Sequence, residues 1–412
     1  MAKATGRKAQ ARRAAKIAPE TGAAEVKPAK SAAKKRQPAK AEPEDSKAKP
    51  GKPSKPAAAA SRAKAAARTE APAATARAAA DAPAPPIDFD RLKEMLADPA
   101  TPRAALAPYL YVWRDPQNGR LTLRINEELV RDARPEDLRT RGFGMDIANG
   151  LERSRRRARF LSRLGDKTKI LLAEGDSWFE YPFFLDDTID DLNRDFNCFC
   201  LSAAGDTLAS MAESDDVFFY FHKLVKDENL TVAAVLLSGG GNDLVGDQMR
   251  AFLKPYKTGA QAKDLIDQRA YDALLDKIEG LYVKLIKELR TVNSTIPILV
   301  HGYDYAIPLP DQSGKGSLLP LDGWLGEPMR KMGIVDATIQ RAIVRIMIDG
   351  LYGRLGRFAN ATGTAALAKV FLVDNRGVVK GRWHDELHPT DAGFAAVAAN
   401  FEQVLRVAGV TP

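Results

Sequence analysis

Cysteine, histidine and long apolar runs are scarce in this 412-residue chain, and each scarcity excludes a class of protein. There are two cysteines and four histidines. Cys198 and Cys200 lie two apart in a strand-like run, which suits one face of a strand and not a disulfide framework or a zinc site. No apolar run approaches the roughly 20 residues that span a bilayer. A cytoplasmic protein without a transmembrane segment is the simplest expectation.

Aromatic residues are absent from residues 1–87, which consist almost entirely of Ala, Lys, Arg, Pro, Glu and Ser. This stretch holds 20 basic and 7 acidic residues, a net charge of +13, whereas the whole chain carries +9 and residues 88–412 therefore carry −4. It buries too little apolar surface to offset chain entropy, so we predict a disordered basic tail. Its start lacks the apolar segment of a secretory signal.

The charge of this tail has two interpretations. A flexible polycation binds polyanions such as nucleic acid, polyphosphate or acidic membrane surfaces by releasing their counterions. Alternatively, the tail only solubilises or tethers the protein, because charge attraction alone identifies no ligand.

Residues 88–165 are predicted to form an N-terminal extension, mostly helical. We expect a short amphipathic helix at 90–96, a strand or buried helix end at 109–113, turn residues at 115–119 and a strand at 121–125. A basic helix follows at 151–164. Its arginine face either binds a polyanion or, as we favour, is solvated and neutralised by nearby acids. The arginines are Arg153, Arg155, Arg156, Arg157, Arg159 and Arg163.

Strand-like and helical patterns alternate over residues 166–412. Apolar runs predict strands at 170–173, 196–201, 232–237, 298–300 and 370–373. Helices are expected at 208–211 with 217–225, 263–289, 334–350 and 393–407. The alternation predicts a three-layer α/β/α fold with a parallel five-stranded sheet. Right-handed crossovers bring the carboxyl ends of these strands to one edge, where open α/β sheets place their chemistry.

Polar motifs follow four of the predicted strands. They are Gly175-Asp176-Ser177, Ala204-Gly205-Asp206, Ser238-Gly239-Gly240-Gly241-Asn242-Asp243 and Trp383-His384-Asp385-Glu386-Leu387-His388-Pro389. Hydrolysis by a serine needs an imidazole to take the hydroxyl proton, a carboxylate to orient the imidazole, and N–H donors for the developing oxyanion. Asp385 lies three residues before His388, so one turn can bring its carboxylate to the imidazole.

These motifs resemble the four conserved blocks of the SGNH (GDSL-type) hydrolases, in the family's order, over about residues 168–408. The resemblance implies a flavodoxin-like fold and a metal-free, cofactor-free serine esterase acting on a small-molecule or lipid ester or thioester. It implies Ser177, Asp385 and His388 as catalytic residues. It also implies an oxyanion hole formed by Ser177, Gly205 and Asn242. Trp178 replaces the leucine that names the motif.

Each motif also has a plainer interpretation. Asn242 and Asp243 could cap the helix that follows them. His384 and His388 are four residues apart, as in a zinc helix, but the order His-Asp-Glu-Leu-His and the adjacent Pro389 argue against a metal. Glycines 239–241 lack the lysine or further glycine of a nucleotide-binding motif.

Two neighbouring features have both a functional and a purely structural interpretation. The long segment 303–332 is either a lid or binding loop, or a packed surface loop. The aromatic residues after Ser177 either line an acyl site or, as we favour, belong to the core. They are Trp178, Phe179, Tyr181, Phe183 and Phe184.

The leading hypothesis is an ester or thioester hydrolase that forms an acyl-enzyme at Ser177. The alternative is a polyanion-binding or scaffold protein whose hydrolase-like domain is inactive and whose basic tail carries the function. The complete set of serine, glycine, asparagine, aspartate and histidine favours the enzyme, because one substitution would disable the mechanism. The sequence carries no signal of oligomeric state.

Overall fold

The computed structural model describes residues 84–98, 100–114, 121–132, 143–181, 185–310, 323–359 and 367–412. The predicted tail lies outside the described residues except for 84–87, as do residues 115–119 and Phe183 and Phe184. Residues 84–412 belong to one compact unit. In the described part of the chain, no helix has the length and apolar character needed to cross a membrane.

The elements follow each other from an extension with short strands into a strand–helix alternation. The strands are β1 Ile87–Asp88, β2 Leu110–Arg114, β3 Leu121–Ile125, β4 Val130–Arg131, β5 Phe143–Gly144, β6 Ile170–Gly175, β7 Asn197–Cys200, β8 Val232–Ser238, β9 Ile298–His301 and β10 Val370–Val373. The α-helices are α1 Phe89–Ala97, α2 Arg103–Leu106, α3 Met145–Ser162, α4 Thr188–Leu192, α5 Leu208–Ser214, α6 Asp216–His222, α7 Gln268–Val292, α8 Gly326–Lys331, α9 Ala337–Phe358 and α10 Asp391–Val407.

A parallel five-stranded sheet forms the centre, in the order β10-β9-β8-β6-β7. Numbered along the chain, this is the flavodoxin-like order 2-1-3-4-5, which confirms the predicted fold class. β6 lies in the interior with Ala173 opposite Cys200 of β7 and Leu236 of β8. Its apolar run is buried from Leu171 onward because strands of a parallel sheet are covered on both faces.

Helices cover both faces of this sheet. The chain reverses direction across the sheet after β7, so right-handed crossovers place α4 on one face and the later connecting helices on the other. α10 packs against α4, whereas α5, α6 and α9 pack against α7. The long helices begin at side-chain caps: Asp267 accepts from the Ala270 N–H, Asp336 from the Thr338 N–H, and Thr390 from the Gly393 N–H.

The N-terminal extension contains sheet as well as helix. β2, β3 and β5 form an antiparallel sheet, and β1 pairs with β4. A small apolar cluster joins α1 to this sheet. Its buried members are Leu92, Leu96, Leu106, Tyr109, Leu110, Ile125 and Val130.

The basic helix α3 is less solvated than the sequence suggests. Arg155 and Arg156 are buried, so the expected solvated face is wrong for these two residues. Arg155 donates to backbone carbonyls of Met95 and Asp98 at the end of α1. The guanidinium of Arg156 contacts the carboxylates of Glu152, Asp187 and Asp190 and also donates to the Phe179 carbonyl. The neighbouring acids that were expected are present, but they hold α3 against the body of the protein.

Arg156→Ala is expected to lower the free energy of unfolding by about 3–5 kcal/mol, because it leaves buried carboxylates without their cation. Arg159→Ala is the matched control: Arg159 pairs with Asp190 at 3.5 Å and its side chain is 50% exposed. That change should cost less than about 1 kcal/mol. Urea denaturation of both variants measures the difference, and equal small losses would contradict a structural role for Arg156.

Candidate active site

Ser177 follows directly after β6, at the carboxyl edge of the sheet. The strand ends at Gly175, where a Cβ would lie 2.6 Å from the Cβ of Ser238 on β8. A side chain at this position would push the two strands apart. Glycine is therefore required for the close approach that places Ser177 beside the end of β8.

Asp176 holds this turn in place. Its Oδ1 accepts hydrogen bonds from the Trp178 N–H and the Ser238 hydroxyl, both at 3.0 Å, and its Oδ2 accepts from the Tyr303 hydroxyl at 2.5 Å. The Tyr303 hydroxyl in turn accepts from the Gly241 N–H at 3.0 Å. The turn that carries Ser177 is thus joined to the loops that follow β8 and β9.

Three predicted residues form one chain of hydrogen bonds. The Oγ of Ser177 lies 2.7 Å from Nε2 of His388, and Nδ1 of His388 lies 2.8 Å from Oδ2 of Asp385. All three side chains are largely buried, with 8%, 7% and 4% exposure respectively. Ser177 and His388 are 211 residues apart in sequence. The fold brings the end of β6 to the loop between β10 and α10.

The charge of Asp385 decides which nitrogen of His388 carries a proton in this hydrogen-bonded series. Burial alone would raise the pKa of Asp385, but the His388 imidazole and the N–H groups of Leu387 and His388 hold it below its usual value. An ionised carboxylate only accepts hydrogen bonds, so Nδ1 of His388 carries the proton. Its Nε2 is then left to accept the Ser177 hydroxyl proton.

The predicted oxyanion donors are three N–H groups, those of Ser177, Gly205 and the Asn242 side chain. Among the described contacts, the backbone N–H groups of Ser177 and Gly205 have no acceptor. Gly205 has φ +90°, a conformation that favours glycine. Asn242 donates one amide hydrogen to the Asp206 carbonyl at 2.8 Å, which places it next to Gly205 and leaves its other N–H uncommitted by that bond. Asp243 does not cap the helix that follows it. Its carboxylate accepts a hydrogen bond from the backbone N–H of Leu208, at the start of the earlier helix α5.

A cavity of about 50 Å³ opens beside Ser177. Its polar lining comes from Asp176, Ser177, Asn242, Tyr303 and Asp304. Its apolar lining comes from Trp178, Leu244, Val245, Ala306, Leu325, Val344, Met347, Ile348 and Leu387. Trp178 is thus both a buried residue and a wall of the cavity. Phe179 belongs to the core, stacked on His301 with ring centroids 5.4 Å apart.

Glu386 is a buried acid whose role the sequence did not reveal. Its carboxylate accepts four backbone N–H groups at 2.7–2.9 Å, from Leu309, Trp324, Leu325 and Gly326. Burial raises its pKa despite these donors. Both described ends of segment 303–332 are therefore tied to the loop that carries His388. Residues 311–322 lie outside the described part, so the lid interpretation is untested there.

The other histidines lie outside the hydrogen-bonded chain. His301 is fully buried, and burial lowers its pKa to about 4. Its Nδ1 lies 2.6 Å from the Gly302 carbonyl oxygen and 3.1 Å from Nδ2 of Asn375. His222 is on the surface, near Asp227. The ring of His384 faces Tyr181 at 6.1 Å, and its Nε2 has no partner among the described residues. The ring of Tyr181 also packs on His388 at 4.7 Å.

Comparisons with known proteins found structural similarity only. No family model matches the chain, and no curated protein matches it. The lipase Lip_vut3 from a goat rumen metagenome is 14% identical with a TM-score of 0.36, over 59% of this chain and 99% of that one. A carbohydrate esterase family 3 protein from Talaromyces cellulolyticus is 12% identical with a TM-score of 0.32, over 58% and 98%. Because both TM-scores are below 0.5, these similarities do not identify the function of this protein. The functional interpretation therefore rests on the geometry of the site.

Glu174, at the end of β6, makes the stability of the protein depend on pH. Burial, with a smaller effect of the Asp206 carboxylate, raises its pKa from 4.5 to about 8. Between these values the folded protein keeps a proton that the unfolded chain releases, so the free energy of unfolding falls as pH rises. Glu174→Gln should remove on the order of 3 kcal/mol of this decline between pH 5 and pH 8.5.

Urea denaturation at several pH values measures the slope for wild type and variant. Glu213→Gln serves as the control, because Glu213 is exposed on α5 and its change should leave the pH profile of the wild type unaltered. Parallel profiles for wild type and Glu174→Gln would contradict the buried, protonated state of Glu174.

Proposed function

We propose that this protein is a serine hydrolase that cleaves a carboxylic ester or thioester. The observation that carries the proposal is the hydrogen-bonded series from Ser177 through His388 to Asp385, beside two backbone N–H groups that have no acceptor among the described residues. A nucleophile, its base, the orienting carboxylate and oxyanion donors are the parts that acyl transfer requires. Their burial excludes bulk water, which strengthens the electrostatic interactions between them.

The reaction would run in two halves. Ser177 Oγ attacks the carbonyl carbon while Nε2 of His388 takes its proton, and the carbonyl oxygen becomes an oxyanion held by Ser177, Gly205 and Asn242. The intermediate collapses to an acyl-enzyme as His388 gives the proton to the departing alcohol or thiol. Water then attacks the acyl-enzyme, His388 takes a proton from it, and Ser177 leaves with that proton as the carboxylic acid product is released.

The alternative hypothesis is a polyanion-binding or scaffold protein whose hydrolase-like domain is inactive and whose basic tail carries the function. Its defining segment, residues 1–83, lies outside the described residues. The site geometry favours the enzyme, because a decayed site would not be expected to keep Ser177, His388 and Asp385 within hydrogen-bonding distance of one another. Polyanion contact by the tail is compatible with either function.

Labelling by a fluorophosphonate with a short alkyl group tests the proposal. Wild type should be labelled at Ser177, and Ser177→Ala should lose both labelling and ester turnover, by at least about 10⁴-fold, while its unfolding curve stays within about 1 kcal/mol of wild type. Mass spectrometry of the labelled peptide gives the position. A folded wild-type protein that neither labels nor hydrolyses esters would favour the scaffold function.

Matched histidine variants separate the proposed base from its neighbour. His388→Ala should lose turnover about as fully as Ser177→Ala, because the serine hydroxyl then has no base. His384→Ala should retain turnover within about threefold, since the His384 ring makes no contact with Ser177 among the described contacts. Equal losses in both variants would argue that the loop, rather than the His388 imidazole, determines activity.

A further inference from the structure

The cavity beside Ser177 is lined by Ser177, Asn242 and Leu387, whereas His388 does not line it. The departing oxygen or sulfur must reach Nε2 of His388 to be protonated, so the leaving group extends toward the imidazole. The acyl substituent on the same carbonyl carbon then points the other way, into the cavity.

The size of the cavity limits what it can hold. Its volume is about 50 Å³, and a protein cavity of about 150 Å³ takes up benzene, which has six carbons. By proportion, the cavity accepts about two non-hydrogen atoms, which corresponds to an acyl substituent of roughly one to three carbons. Its walls are mostly aliphatic, and α9 contributes Val344, Met347 and Ile348. The two carboxylates in the lining, Asp176 and Asp304, already accept hydrogen bonds from protein donors. The chemistry of the lining therefore suits a short alkyl group.

The wall formed by α9 is fixed by packing. Met347 is 3% exposed, and its backbone carbonyl accepts a hydrogen bond from the Tyr271 hydroxyl of α7 at 2.5 Å. Another lining residue, Leu325, donates its backbone N–H to the Glu386 carboxylate at 2.8 Å. A longer acyl chain would have to displace these buried elements.

We propose that the enzyme acts on short-chain acyl esters, from acetyl to butyryl, and that Met347 sets the upper limit. This inference rests on the proposed function, since it assigns the acyl group of that reaction. A methylene that fits raises kcat/KM by about fourfold, the equivalent of about 0.8 kcal/mol. A methylene beyond the limit lowers it.

The test is a series of p-nitrophenyl esters with 2, 4, 6, 8 and 12 acyl carbons, each below its solubility limit. For wild type, kcat/KM should be highest for the acetate or the butyrate. It should be at least about tenfold lower for the octanoate. A profile that is flat or rises to the octanoate, in a protein labelled at Ser177 by the fluorophosphonate, would overturn the short-chain limit and leave the hydrolase function standing. Absence of both labelling and hydrolysis would overturn the function, and this inference with it.

Two variants move the limit in opposite directions. Met347→Ala removes three non-hydrogen atoms from the wall, so the peak should move up by about two carbons. Ala306→Val fills part of the cavity, so the butyrate should fall relative to the acetate. Leu351→Ala is the control, because Leu351 is fully buried on the same helix but does not line the cavity. An equal shift in Leu351→Ala would overturn the role of Met347.

A separate observation concerns Asn149 of helix α3. Its side chain is 3% exposed and pairs with the Ala204 backbone in both directions: Nδ2 donates to the Ala204 carbonyl at 3.0 Å, and Oδ1 accepts from the Ala204 N–H at 3.1 Å. The Ala204 carbonyl shares a peptide group with the N–H of Gly205. No described peptide bond is cis, so the two point in opposite directions within one plane.

We infer that Asn149 is a positioning residue for the oxyanion hole. By fixing the Ala204 carbonyl, it aims the Gly205 N–H at the opposite end of the same peptide plane. A hydrogen bond to the carbonyl also polarises that N–H and strengthens it as a donor. On this inference, the N-terminal extension contributes to the proposed active site, through a residue 55 positions before the peptide that it orients.

Asn149→Asp and Asn149→Ala test this role. The aspartate keeps the acceptor for the Ala204 N–H but loses the donor to the carbonyl, and the alanine loses both. Each should lower kcat by about 10–100-fold, somewhat less than removal of an oxyanion donor itself, with KM within threefold. The affinity for an alkylboronic acid, which forms a tetrahedral adduct with the serine, should fall by the same factor as kcat/KM.

Arg163→Gln is the matched structural control. Arg163 lies just beyond α3 and donates to the Asn193 and Phe196 carbonyls, away from Gly205. Its loss should lower the Tm without lowering kcat. Wild-type kcat in Asn149→Asp, or an equal loss of kcat in Arg163→Gln, would overturn the positioning role.

Discussion

The arrangement of the site depends on the buried carboxylate of Asp176. It accepts donors from Trp178, Ser238 and Tyr303, and so joins the carboxyl ends of β6, β8 and β9. Burial raises its pKa to about 6, although these donors stabilise the ionised form. A charge held by donors from three strand ends fixes their relative positions, because a shift of any one end would take a hydrogen-bond donor away from a buried carboxylate. Ser177 is next to this residue and takes its position from it.

A second network holds the loop that carries His388. Glu386 collects four N–H groups from segment 303–332, and the indole N–H of Trp178 donates to the Leu387 carbonyl at 3.1 Å. Trp178 therefore takes part in both networks, since its backbone N–H binds Asp176. This shared residue links the turn that carries Ser177 to the His388 loop, and it also forms one wall of the cavity. The positions of Ser177 and His388 and the shape of the cavity are consequently coupled through Trp178.

Helix α3 connects the extension to this framework at two places. Arg156 binds the carboxylates at the start of α4 and the Phe179 carbonyl shortly after the nucleophile, and Asn149 binds the Ala204 peptide. The predicted division at residue 165 separates two sequence patterns, yet residues 84–412 form one compact unit. The arginines of α3 look alike in sequence, but those that are buried act as fixed donors to carbonyls and carboxylates.

The sequence by itself determined the five strands of the central sheet and the motifs at their carboxyl ends, because consecutive aliphatic residues and glycine turns are local signals. It also placed Asp385 within reach of His388, since the two are three residues apart. Only the tertiary structure decided the partners of Arg156, Glu386 and Asn149, and the size of the cavity at Met347. Apart from Glu152, which is four residues from Arg156, their partners are 23 to 77 residues away in the chain. Neither a distant contact nor an empty volume leaves a periodic trace in sequence. Burial turns such residues into fixed contacts, and burial is a property of the assembled fold.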